Sequence, residues 1–142
     1  MHSWQKLRDS HPTAPDIGMQ SALFITWSRE NAAAVRSCMK TYGERLDGEP
    51  EALDRAALVG RAQTPFGLLR DLQGLWLMTN ESTACVAALL QGARALGDHG
   101  LERDLSRIEN RNERQRTWLL ARIRQAAPQT LTVPSHEEGP AE

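Results

Sequence analysis

The sequence predicts an all-α protein, an antiparallel bundle of three long helices and one short helix. Apolar residues recur at spacings of three and four over three long stretches, which is the period of one helix face. Prolines and glycines separate these stretches, and none shows the alternation of a half-buried strand. The chain has 142 residues, 40% of them hydrophobic, and a formal net charge of −1. These values are typical of one globular domain and exclude a disordered acidic chain or a polycation.

The first 16 residues are predicted to form a flexible, irregular arm that ends at Pro12 and Pro15. Trp4 in this arm docks either onto the body of the protein or onto a partner. The helical domain is expected over residues 17–128.

The first long helix is predicted from about residue 17 to residue 46, with Asp16 as its candidate N-cap. Gly48 and Pro50 then provide a stop and a new start, so that a short Ala-rich helix is expected over residues 51–62. The apolar face of the long helix consists of Phe24, Trp27, Val35, Cys38 or Met39, Tyr42 and Leu46.

The second long helix is predicted over residues 66–96, with Thr64 as its cap and Pro65 at its first position. The tight sequence Gly97-Asp98-His99-Gly100 reverses the chain, so the next helix returns antiparallel. That last helix is expected over residues 101–127 and ends at Pro128. Residues 129–142 are predicted to be a flexible acidic tail.

Each long apolar stripe is interrupted by polar residues near its middle. Ser82 and Gln115 lie at similar distances from the turn, so the interruptions are expected at one level of the bundle. Such a layer either fixes helix register through buried hydrogen bonds or forms a central site. Either Glu30 or Asn31 faces inward from the first helix. The predicted layer comprises Glu30, Asn31, Thr79, Ser82, Asn112 and Gln115.

The stretch from Phe66 to Val133 resembles small bacterial members of the ferritin-like superfamily, notably in LLRDLQGLWLMTNES and RNERQRTWLLARIRQAAPQTLTV. This resemblance implies a long-helix bundle whose iron-carrying members hold two metal ions with inward carboxylates and Glu-x-x-His pairs. Here the inward pair of the last helix is Asn112 and Gln115, which bind iron poorly. The resemblance therefore implies a member that has lost its metal, and no cofactor is expected.

Other catalytic chemistry has little support in the sequence. The histidines His2, His11, His99 and His136 lie in the two tails and one turn, and none is expected to face the core. Cys38 and Cys85 lie within apolar helical patterns, where a thiol behaves as a small hydrophobe with a raised pKa. No catalytic residue is assigned, and the balance favours a protein that is not an enzyme.

A row of arginines and a set of tryptophans are two further features that are compatible with ligand binding. The last helix carries a basic ridge with interleaved acids and no accompanying aromatic residue in sequence, which favours a solvated surface over nucleic-acid binding. Three tryptophans either fill the core or form the floor of a pocket for a flat ligand. The ridge comprises Arg103, Arg107, Arg111 and Arg114, and the tryptophans are Trp27, Trp76 and Trp118.

The sequence thus predicts a bundle that acts by association, as a homo-oligomer or as an accessory or scaffold subunit. One alternative is a degenerate metal oxidase that uses carboxylates, and the other is a nucleic-acid or regulatory protein that uses the basic ridge. No apolar run has the length of a membrane span, and reduced thiols indicate the cytoplasm. The oxidase alternative depends on Glu30, Glu81, Glu109 and Glu113.

Overall fold

A computed structural model describes residues 2–43 and 64–132. Within these ranges the protein is an all-α bundle without strands, as predicted. The predicted short helix over residues 51–62 lies outside the described residues, as do residues 133–142 of the tail. The helices are α1 (His2–Ser10), α2 (Pro15–Tyr42), α3 (Pro65–Leu96) and α4 (His99–Thr132).

The N-terminal residues form a helix, so the prediction of an irregular arm is wrong. Trp4 and Leu7 of α1 are buried in a core that also contains Phe24 and Leu119. A nine-residue helix is unstable in isolation, and α1 therefore depends on these two anchors at i and i+3. The prolines do not interrupt it, because α1 ends at Ser10, before both of them.

Helix α2 begins two residues earlier than predicted, with Pro15 at its first position and Ala14 as its N-cap. Asp16 is not the cap. Its carboxylate instead accepts a hydrogen bond from Arg122 Nε at 2.7 Å, which joins the start of α2 to α4. The helix ends at Tyr42, and Gly43 follows with φ 84°.

The start of α3 and the turn between α3 and α4 lie at the capping residues, prolines and glycines that the sequence predicts. The Thr64 hydroxyl accepts a hydrogen bond from Gly67 N at 2.9 Å and caps α3. Gly97 ends that helix in the left-handed region with φ 68°, which favours glycine. The Asp98 carboxylate accepts a hydrogen bond from Leu101 N at 2.9 Å and caps α4. The reversal is therefore tight, and α3 and α4 pack as an antiparallel pair.

Helix α4 continues through Pro128 to Thr132, so the predicted end at Pro128 is wrong. A proline removes one backbone donor from the helix ladder, and two contacts hold the last turn nonetheless. Ala126 is buried in the core. The Thr130 hydroxyl lies 2.9 Å from Ala126 O and 3.4 Å from Pro65 O at the start of α3.

Helix α2 runs parallel to α3 and antiparallel to α4. Its N-terminal Asp16 contacts Arg122 near the end of α4, whereas its C-terminal Tyr42 contacts Asp98 at the α3–α4 turn. The chain leaves α2 at the turn end of the bundle and enters α3 at the opposite end.

The described residues form two apolar cores, and α2 contributes to only one of them. Its buried residues are Ile17, Ser21, Phe24 and Ile25, all in its N-terminal half. The second core, around Leu90 and Leu105, is built from α3 and α4 alone. Val35 and Tyr42 were predicted on the core face of α2, but their side chains are 40% and 52% exposed. The C-terminal half of α2 therefore leaves its apolar face open.

Candidate functional site

The structure brings five of the six predicted polar-layer residues to one cavity. This central groove of about 440 Å³ lies between α2 and the α3–α4 pair. The sixth residue, Glu30, is exposed and pairs with Arg111 outside the groove, so Asn31 is the inward member of that pair. The layer residues that line the groove are Asn31, Thr79, Ser82, Asn112 and Gln115.

The hydrogen bonds of this layer are incomplete. Asn112 Nδ2 donates to Ser82 Oγ at 3.1 Å, and Thr79 Oγ1 donates to Leu75 O at 2.8 Å. Ser82 is exposed, in contrast to its predicted inward position. Gln115 is only 5% exposed, and its amide has no hydrogen bond to another described residue. The layer therefore joins α3 to α4 through the Asn112–Ser82 bond, and the Gln115 amide lines the groove without a hydrogen bond to another described residue.

A second cavity, the apolar groove, continues from the central groove toward the α3–α4 turn. Its volume is about 400 Å³, and Val35 and Ile108 line both cavities. Among its described lining residues Asp104 is the only acid and no basic residue occurs. The lining comprises Ala34, Val35, Cys38, Met39, Tyr42, Gly43, Ala88, Leu89, Gly92, Ala93, Leu96, Leu101, Asp104, Leu105 and Ile108.

Tyr42, which lines the apolar groove, forms a hydrogen bond with Asp98 at the α3–α4 turn. The Tyr42 hydroxyl donates to Asp98 Oδ2 at 2.5 Å. This bond, with some loss of solvent, raises the pKa of Tyr42 above its ordinary value. Hydrogen bonds from Leu101 N and the Tyr42 hydroxyl lower the pKa of Asp98. The pair thus favours a neutral phenol beside an ionised carboxylate.

We expect the phenol to ionise above pH 10, the usual midpoint of tyrosine. Tyr42 is the single tyrosine of the chain, so the ultraviolet absorbance of tyrosinate measures it alone. Because its pKa is raised in the fold, its contribution to stability is present below pH 10 and disappears as the pH rises through the folded-state pKa. Asp98→Asn should move the midpoint toward 10. An unchanged midpoint in this variant would contradict the assigned cause.

The predicted basic ridge lines a third cavity, the basic cleft, with a volume of about 530 Å³. No aromatic residue accompanies the ridge in the sequence, but the fold places one next to it. Trp27 of α2 lies beneath the ridge, with Arg111 Cζ and Arg114 Cζ at 5.7 and 5.9 Å from its ring centroid. The lining comprises Trp27, Arg103, Ser106, Arg107, Asn110, Arg111 and Arg114.

Of the three predicted pocket tryptophans, Trp27 lines the basic cleft. Trp27 and Trp118 flank Phe24, with ring centroids 5.4 and 5.7 Å from its own. Trp4 packs on the same ring at 4.7 Å. Trp76 also packs against this core, but its buried Nε1 has no hydrogen-bond partner among the described residues. These rings mainly fill the core around Phe24.

A buried polar pair was missed in sequence. His11 Nε2 lies 3.0 Å from Asp71 Oδ2, and the two side chains are 7% and 4% exposed. The expectation that no histidine faces the core is therefore wrong for His11. The residue follows α1 directly, so once α1 docks, the imidazole is placed against α3. Only a prediction of α1 itself would have revealed this contact.

The cysteines differ from one another. Cys38 lines the apolar groove, and burial, together with the charges of Asp104 and Asp98, raises its pKa. This agrees with the expectation from its apolar pattern. Cys85 is exposed. Within the described residues, no cluster of three or more His, Cys, Asp or Glu side chains is placed to hold a metal ion.

The fold and these cavities define the class of the protein as an all-α bundle with an apolar groove along the C-terminal half of α2. In the part of the chain that the structure describes, no helix is both long and apolar enough to cross a membrane. Searches against protein-family models, curated proteins and solved structures gave no match.

Proposed function

We propose that this protein is a non-catalytic helical bundle that acts by association, and that the apolar groove is its interface with a second copy of the chain. The observation that supports this proposal is the C-terminal half of α2, whose apolar face has no partner among the described helices. Its apolar face lies opposite Leu89 and Leu96 of α3, whose side chains are 55% and 68% exposed. A contiguous apolar surface of this kind is typical of an interaction site.

A second copy is the occupant that best fits this surface. Most soluble oligomers are homo-oligomers, and the commonest interface pairs the same patch of two subunits about a two-fold axis. The lining of the groove is mostly apolar and includes the polar groups of Asp104 and Tyr42, the latter hydrogen-bonded to Asp98. An apolar centre with polar groups at its margin is the usual composition of a stable interface.

We also propose that the protein is a ferritin-like bundle that has lost its metal site. Its proposed location is the cytoplasm. The parallel arrangement of α2 and α3 supports the ferritin-like assignment, because ferritin-like bundles contain one long crossover connection. The neutral amides Asn112 and Gln115 occupy the central groove where carboxylates would be needed. Glu30, the one plausible inward ligand in the sequence, is paired with Arg111 instead. No observation favours the oxidase alternative.

We expect the purified chain to form a discrete homo-oligomer in light scattering. Leu89→Glu should shift it toward the monomer, because the variant places a charge at the centre of the proposed interface. Leu77→Glu is the matched control, since Leu77 lies on the same helix, is 56% exposed and does not line the groove. This control should assemble like the unmodified chain, and circular dichroism should show both variants equally helical.

A monomeric unmodified chain would overturn the proposed interface. The groove would then belong to a different protein or to residues of this chain outside the described ranges. Equal dissociation by Leu89→Glu and Leu77→Glu would also contradict it. Elemental analysis of untagged protein tests the metal-free part separately, because stoichiometric iron or manganese would favour the oxidase alternative.

A further inference from the structure

The basic cleft has a lining of unusually uniform chemistry. Every described residue that lines it carries a side chain able to donate a hydrogen bond, the Trp27 indole included, and none of these residues is a carboxylate. Ser106 and Asn110 place neutral donors between the arginines of α4. A concave surface of this composition is suited to a ligand that presents several anionic oxygens.

Two of the four arginines form no ion pair with a carboxylate among the described residues. Arg107 pairs with Asp104 at 2.9 Å, and Arg111 pairs with Glu30. Arg103 and Arg114 are exposed and have no ion pair with any described residue. Their charges are therefore available to a ligand, whereas Arg111 is held in place by its further hydrogen bond to Asn31 Oδ1 at 2.8 Å.

The spacing of the free arginines favours an extended ligand. Arg103 and Arg114 are eleven residues apart on one helix, which corresponds to about 16 Å. A single phosphate cannot contact both, but a chain of phosphates can. Trp27 adds an aromatic surface between the arginines. Proteins that bind single strands combine a positive groove along the backbone with aromatic side chains that contact the bases.

We propose that the basic cleft binds single-stranded nucleic acid, with Arg103 and Arg114 contacting phosphates at its two ends. The basic cleft and the apolar groove share no lining residue, although Asp104 of the groove pairs with Arg107 of the cleft. Nucleic-acid binding at the cleft is tested by variants other than those that test the oligomer. Its failure would leave the association proposal unaffected, and the reverse also holds.

The test is fluorescence anisotropy with a labelled oligothymidylate of about 12 nucleotides. Each phosphate contact to a single strand adds about 0.7 to the slope of log affinity against log salt. The double variant Arg103→Gln/Arg114→Gln should lose two contacts, and its slope should decrease by about 1.4. The affinity loss between about 50 and 200 mM NaCl should then be roughly sevenfold smaller than in the unmodified protein.

The matched control is Arg70→Gln/Arg124→Gln, which removes two exposed arginines that lie outside the cleft. It should retain the slope of the unmodified protein. Three results would overturn the proposal. These are no binding at low salt, equal weakening by the control variant, and displacement of the oligonucleotide by polyglutamate at equal charge concentration. The last result would assign the cleft to an acidic protein instead.

Discussion

Replacing His11 with alanine is expected to lower the free energy of unfolding by about 3 kcal/mol. The imidazole lies 3.0 Å from the Asp71 carboxylate, and both side chains are more than nine-tenths buried. The variant removes a hydrogen bond from a buried acid and leaves a cavity at the junction of α1 and α3. Both losses act on the folded state, and chemical denaturation monitored by circular dichroism measures their sum.

His2→Ala is the control for this prediction, because His2 is exposed and belongs to the adjacent helix α1. Surface substitutions of this kind usually change stability by less than about 0.5 kcal/mol. A double-mutant cycle with Asp71→Ala isolates the pair, and we expect the double variant to cost clearly less than the two single variants together. Strict additivity of the single effects would show that the His11–Asp71 contact contributes nothing of its own.

Those parts of the fold that depend on local chemistry could be predicted from the sequence. Thr64 and Pro65 specify the start of α3, since a capping hydroxyl and a proline suit the first turn of a helix. Gly97 and Asp98 specify the reversal, because glycine suits the left-handed end of α3 and the aspartate carboxylate caps the start of α4. The register of α3 against α4 followed from residue counts on either side of that turn, and the Asn112–Ser82 bond lies close to the predicted level.

The features that the sequence did not predict depend on contacts between distant segments. Helix α1 is short, and burial of Trp4 and Leu7 against other helices stabilises it. The His11–Asp71 pair joins residues sixty positions apart. Trp27 reaches the basic ridge only because α2 packs across α4. Local sequence patterns cannot predict such contacts between distant segments. Whether Glu30 or Asn31 faces inward likewise depends on the rotation of α2 about its axis.

The apolar groove along α2 was not predicted for the same reason, because it too depends on how distant segments pack. Val35 and Tyr42 have the spacing of core residues, and local periodicity assigns them to a core. In the described fold α2 packs closely on its neighbours only over its N-terminal half. The prediction that Val35 and Tyr42 face the core is therefore wrong for the described residues, and this apolar face has no partner among the described helices. This mismatch between pattern and burial is the physical reason for proposing association.

Phe24→Ala is expected to have the largest effect on stability, a loss of about 3–5 kcal/mol. Phe24 is 1% exposed, and its ring touches Trp4, Trp27 and Trp118. Such a loss is a large share of the roughly 5–15 kcal/mol that stabilises an ordinary domain. Tryptophan emission should also shift to longer wavelength, since the variant opens the packing around these rings.

Two further substitutions in α2 make this prediction specific. Phe24→Leu retains most of the apolar volume and should cost about 1.5 kcal/mol or less. Met19→Ala alters a side chain that is 78% exposed on the same helix, and it should be almost neutral. A small effect of Phe24→Ala would mean that α1 and α2 do not close over α4 through this ring. Trp27 would then lose its fixed place beneath Arg111 and Arg114, so the same measurement bears on the basic cleft.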